Sequence, residues 1–136
     1  MRKLSEIMIE LVSEILAQPM SMTSTEGLHS ALMLANVAWN RSIDRAEADT
    51  HGHYLDALAQ FERDNPRARA DLISYDCEDM IMQLQRSKAA RYASDNRFIV
   101  VCGTTPAGNV HVEWTPREIT AGSRTRKPSR RRDRRR

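Results

Sequence analysis

A chain of 136 residues with 40 % hydrophobic content has one domain's worth of material and enough apolar side chains for a core. Its apolar-rich opening, LSEIMIELVSEIL, is interrupted by Glu6, Glu10 and Glu14, which argues against a membrane span or a signal-peptide core. The net charge of +3 hides a segregation: residues 1–122 carry 12 Arg/Lys against 17 Asp/Glu, net −5, whereas residues 123–136 carry 9 against 1, net +8.

These features point to a soluble intracellular protein, cytoplasmic or, in a eukaryotic cell, nuclear, with an acidic body and a strongly basic end. The two cysteines, Cys77 and Cys102, have no CxxC spacing and are expected as separate buried thiols.

Leu4, Ile7, Met8, Leu11, Val12, Ile15 and Leu16 recur at spacings of three and four, which predicts an amphipathic helix over 3–17. Glu6, Glu10 and Glu14 form its solvated stripe, and Pro19 ends it. Thr23 to Glu26, TSTE, has the capping-box pattern. The helix behind it runs to about Arg41, with Leu28, Leu32, Ala35 and Trp39 on one face. Asp44 to Glu47, DRAE, is a second cap. Gly52 weakens the segment that follows, since glycine costs about 1 kcal/mol in a helix interior, so the third helix is expected from about His51. Its apolar stripe is Tyr54, Leu55, Leu58 and Phe61.

Asn65-Pro66 reads as an N-cap followed by the first helical position. From Pro66 to about Ala93 there is neither glycine nor proline. This predicts one helix roughly 40 Å long, with Leu72, Ile73, Cys77, Met80, Ile81 and Leu84 in its core stripe. The period then changes. RFIVVC is a continuous β-branched run, GTTPAGN supplies a turn, and VHVEW alternates, with Val110, Val112 and Trp114 on one face and His111 and Glu113 on the other. A β-hairpin over 97–115 follows. An isolated hairpin is marginal in water, so it must pack on the helices or pair with a second copy. The expected fold is mainly α (α+β): about four helices in a bundle and a hairpin within 1–119, then a disordered segment over 120–136.

That last segment contains the most distinctive sequence, RTRKPSRRRDRRR. Its basic residues are Arg124, Arg126, Lys127, Arg130, Arg131, Arg132, Arg134, Arg135 and Arg136. Lysine would serve for charge alone. The arginine bias favours bidentate grip on phosphate and stacking on bases. With no aromatic to read bases, such a segment binds RNA or DNA with little sequence preference. Arg86, Lys88 and Arg91, at the basic end of the predicted long helix, form a second candidate group. The same charge run also suits an acidic protein partner or a localisation signal.

Other candidates for chemistry are sparse. Asp49, His51 and His53 sit within five residues, and on an extended loop the two imidazoles could ligate zinc with a third group, but no cysteine or additional histidine lies at metal-site spacing, and surface histidines at a helix start are the simpler reading. Arg45 and His51 have an R-x5-H spacing that resembles the signature of HEPN-type ribonucleases. These are dimeric helical bundles in which the arginine stabilises phosphate and the histidine assists proton transfer; here Ala46 stands where that family usually has a polar residue. Asp76, Glu78 and Asp79 crowd one helix, yet the chain has no E-x-x-E pair of the kind helical pyrophosphohydrolases use for magnesium. Glu26 and His29 form an i, i+3 pair. GTTPAG lacks the lysine and following helix of a phosphate loop. The expectation is therefore a non-enzymatic accessory or adaptor protein without cofactor or metal. Its partners are nucleic acid and either a protein or a second copy, and it has no membrane partner.

Overall fold

The computed structural model of the protein describes residues 2–50 and 53–119. Their order is α1 (Leu4–Val12), a 3-10 turn (Met20–Met22), α2 (Thr25–Ile43), α3 (Arg45–Thr50), α4 (His53–Asp64), α5 (Arg67–Ala70), α6 (Cys77–Arg91), β1 (Arg97–Thr104) and β2 (Val110–Pro116). Four of the helices are seven residues or longer, and the expected α+β arrangement of helices then hairpin is the one adopted. The segment 120–136 and the pair His51-Gly52 lie outside the described residues.

α2 is the axis of the fold. The sequence assigns it a single apolar face, but Ala31, Leu32, Met33, Leu34, Ala35, Ala38, Trp39 and Ile43 are all buried, together with Ser30, Asn36 and Asn40. A helix covered on nearly all sides is a core helix. α1, α6, α5, α4 and β1 all pack around it. Its N-cap is Ser24, whose hydroxyl accepts from the Gly27 amide at 3.0 Å. The cap is thus one residue beyond the expected Thr23, whose own hydroxyl donates to the Pro19 carbonyl at 3.1 Å. Asp44 caps α3 as expected, accepting from the Glu47 amide at 3.1 Å.

Two predicted helices are shorter than their periodicity implies, for one shared reason. α1 stops at Val12, and Leu16 forms an isolated antiparallel bridge with Leu72. The Ala17 amide donates to the Asp71 carbonyl at 2.8 Å, and the Ile73 amide to the Ile15 carbonyl at 3.0 Å. Ile15, Leu16 and Leu72 stay buried through this clip rather than through a helix. The same clip breaks the expected 66–93 helix into α5 and α6. Asp71 accepts from the Ser24 amide and hydroxyl, which fixes its backbone beside α2. Asp76 then caps α6, accepting from the Asp79 amide at 3.2 Å. α6 is consequently about 22 Å long rather than 40 Å. Ile73, expected in the core stripe, is 49 % exposed, whereas Met80, Ile81 and Leu84 are buried. Asn65 is not an N-cap: its amide donates to the Phe61 carbonyl and closes the end of α4.

The hairpin pairs Arg97 with Pro116 through Thr104 with Val110, with a register shift between Ile99 and Val101. Gly108 supplies the positive φ of +87° that its turn requires. The hairpin packs within its own chain. Phe98 and Ile99 are buried on α2. Asn40 acts there as a surrogate strand: its Oδ1 accepts from the Ile99 amide at 2.8 Å and its Nδ2 donates to the Ile99 carbonyl at 2.9 Å. Trp39 Nε1 donates to the Arg97 carbonyl at 2.7 Å. Buried backbone groups need such partners, and α2 provides them where a third strand would.

Candidate nucleic-acid interface

Arg124 to Arg136 lie outside the described residues. The three basic residues of α6 do not form a common surface. Arg86 is exposed. Lys88 is buried, with its ammonium donating to the Tyr92 and Asp95 carbonyls at 3.1 and 3.0 Å and lying 4.6 Å from the Trp39 ring centroid. Burial pulls its pKa down to about 8, against the opposing pull of Asp95. Its two carbonyl bonds close the turn between α6 and β1, so this cation faces inward. Arg91 grips Glu10 at 2.9 Å and also Glu14. Glu10 of α1 and Glu14 in the turn behind it, expected as a solvated stripe, therefore hold this N-terminal segment to α6. The Tyr92 hydroxyl and Arg2 bond Glu10 as well and keep its carboxyl below the ordinary range.

A second basic group is formed only in three dimensions. The start of α1 and the face of β2 bearing Val112 and Trp114 enclose a cleft of about 460 Å³, lined by Arg2, Lys3, Leu4, Ser5, Arg97, Val112 and Trp114. Three of the seven lining residues are cations and none is acidic, in a body whose net charge is −5. Arg97 is its fixed element. It forms a two-pronged pair with Asp95, Nε to Oδ1 at 2.9 Å and Nη2 to Oδ2 at 2.6 Å, and Nη1 donates to the Arg2 carbonyl at 2.8 Å. Burial alone would raise the Asp95 carboxyl, but the hydrogen bonds and charge of Arg97 outweigh it and hold the group below its usual range. The Arg97 guanidinium lies 5.5 Å from the Trp114 ring centroid, and Trp114 remains 44 % exposed. Lys3 is exposed, and among the described residues no carboxylate pairs with it.

Sequence reasoning placed Val112 and Trp114 on one face but did not connect that face with Arg2, Lys3 and Arg97. The alternation of VHVEW carried the first inference. The second depends on where α1 begins relative to β2, which no local pattern encodes. The opposite face of β2 behaves as the alternation predicts, with exposed His111 and Glu113 bonded to each other at 2.7 Å.

A second cleft of about 370 Å³ is lined by Thr25, Glu26, His29, Phe61, Asn65, Thr104, Thr105 and Pro106. His29 Nδ1 accepts from the Thr104 amide at 3.3 Å, and its ring lies 4.6 Å from that of Phe61. Burial lowers its pKa. His29 thus tethers β1 to α2, a role that its i, i+3 spacing from Glu26 does not suggest.

The remaining candidates separate. Arg45 is exposed and bonded to Asp49 at 3.3 Å, and its proposed partner His51 lies outside the described residues. Asp49 also meets Arg41, which reaches Glu78. Among the described residues no group of three His, Cys, Asp or Glu side chains stands where it could hold a metal ion. No helix among them is long and apolar enough to cross a membrane. Cys77 and Cys102 are separate free thiols, both half-buried; burial pushes the Cys102 pKa up to about 12. Compared with family models, curated proteins and solved structures, the chain matches none.

Proposed function

We propose that this protein is a small, non-enzymatic nucleic-acid-binding accessory or adaptor protein. Its arginine-rich segment Arg124–Arg136 grips phosphate without sequence preference, and its helical body docks on a protein partner or a second copy. The observation that carries this reading is the charge segregation: eight arginines and one lysine within 124–136, beside a body of net charge −5.

The test is fluorescence anisotropy with labelled RNA, single-stranded DNA and duplex DNA across a salt series. On duplex DNA, log K should fall with log salt at a slope near −0.9 per phosphate neutralised, so six to eight contacts cost several orders of magnitude between about 50 and 200 mM salt. A variant with Arg130, Arg131, Arg132, Arg134, Arg135 and Arg136 changed to glutamine should lose most of that slope. Equal slopes for the two chains would remove the segment from the reading. A full chain that binds no nucleic acid but binds an acidic protein would replace the reading with a protein-interaction module.

A further inference from the structure

We infer that the cleft between α1 and β2 is a binding site for single-stranded nucleic acid, in which a base stacks on Trp114 and the adjoining phosphate meets Lys3 and Arg2. This rests on the proposed function for its ligand class but places a site in the body, separate from the arginine-rich segment.

Four observations carry it. The first is the ring. Trp114 is a large aromatic left 44 % exposed at a cleft, and every nucleobase offers a π-face to such a ring. The second is its support. Arg97 lies 5.5 Å from the ring centroid and is itself nearly buried, locked by Asp95 and the Arg2 carbonyl, so a fixed cation sits beside the indole. The third is charge. The lining holds three cations and no carboxylate. Arg2 shares Glu10 with Arg91 and Arg97 is matched by Asp95, so the charge presented outward is chiefly that of Lys3, with the half-exposed Arg2 beside it. That suits one or two phosphates, not a long backbone track. The fourth is size and surface. About 460 Å³, with Leu4 and Val112 as apolar walls, falls within the usual range for a small-ligand site and accommodates a nucleotide.

A base must be unpaired to enter. The site therefore favours single strands over duplex, a preference the arginine-rich segment by itself lacks. The two contacts would be additive in kind: nonspecific phosphate grip from the segment, and a stacking contact from the body whose local concentration the tether raises.

The experiment uses the full chain, a ten-nucleotide oligo-dT or oligo-U, and a duplex of equal length. Trp39 is buried, so quenching of the exposed tryptophan reports on the cleft. Single strands should quench fluorescence. Read by anisotropy of the labelled oligonucleotides, because the variant has lost the reporting indole, Trp114→Leu should weaken single-strand binding on the order of tenfold and leave duplex binding unchanged. Trp114→Phe should restore most of the loss, and Lys3→Gln should reduce the salt slope by about one phosphate. If Trp114→Leu fails to fold, the phenylalanine and glutamine variants still decide the matter. Single-strand binding equal to wild type in Trp114→Leu would overturn the site while leaving the arginine-rich segment in place. A chain with that segment neutralised that still shows the quench would leave the site standing without it. Loss of self-association in sedimentation on Trp114→Leu, with nucleic-acid binding intact, would reassign the face to a second copy.

Discussion

At the scale of single residues, Asn40 carries more of the fold than its polarity suggests. It is buried on α2 and satisfies both backbone groups of Ile99, which α2 would otherwise cover without partners. Asn40→Ala strands a buried amide and a buried carbonyl, and should lower unfolding free energy by about 2–4 kcal/mol, measured by urea denaturation. His29 gives a pH signature on the same strand. Its folded pKa lies below the ordinary value near 6.5 because the ring is buried, so the unfolded chain takes up the proton first. Stability should therefore fall as pH drops through about 6.5 and level off below the folded pKa. Of the groups lining its cleft, Glu26 is the charged one; Thr25, Phe61, Asn65, Thr104, Thr105 and Pro106 carry no charge. In His29→Asn, whose amide oxygen can still accept from the Thr104 amide, urea midpoints between pH 7.5 and 5.5 should change less than in the wild type.

At the scale of elements, the decisive feature is the clip that joins residues 15–17 to 71–73. It converts one long predicted helix into two and trims the first. Gly27 belongs to this junction: a Cβ there would sit 2.2 Å from Asp71 Oδ2 and 2.5 Å from Asp71 Cβ. Alanine normally gains about 1 kcal/mol over glycine in a helix. Here the clash with a carboxylate already bonded to Ser24 reverses the sign, and Gly27→Ala should destabilise by about 1–3 kcal/mol in thermal or urea melts. The helical spacing of Ile15 and Leu16 with α1, and of Leu72 with α6, marks burial, and a bridged turn wedged against the core buries the same residues, so periodicity alone does not separate the two. The caps show a finer version of this ambiguity. Thr23 and Ser24 are both competent N-cap residues, and the Asp71 contact selects Ser24.

At the scale of the whole molecule, charge is arranged in two tiers. Within the body, arginines neutralise carboxylates between elements: Arg91 and Arg2 across α1 and α6, Arg69 with Glu62, Arg41 with Asp49 and Glu78, Arg117 with Glu47. Apart from the largely buried Arg69–Glu62 pair, pairs of this kind contribute about 0–1 kcal/mol each and serve more to fix orientation than to supply stability. By sequence the net positive charge lies in 123–136, and among the described residues Lys3, beside Trp114, is an exposed cation. The salt series reads the first tier of binding, because counterion release scales with phosphates neutralised. The tryptophan variants read the second, because stacking depends weakly on salt.

By itself the sequence determined the α+β class, the hairpin, the Asp44 cap, the face shared by Val112 and Trp114, and the segregation of charge. Each of these follows from local composition or from a period of two or near four, which neighbouring residues alone specify. Only the tertiary structure decided that α2 is buried on almost every side, that Lys88 and Arg97 turn inward, and that Asn40 completes the sheet. The clip at Leu16 and Leu72 and the basic cleft at Trp114 belong with them. The Asn40 contact, the clip and the cleft join residues some 55 to 110 positions apart. The partner that makes an isolated strand tolerable is supplied by packing, which a local pattern cannot name.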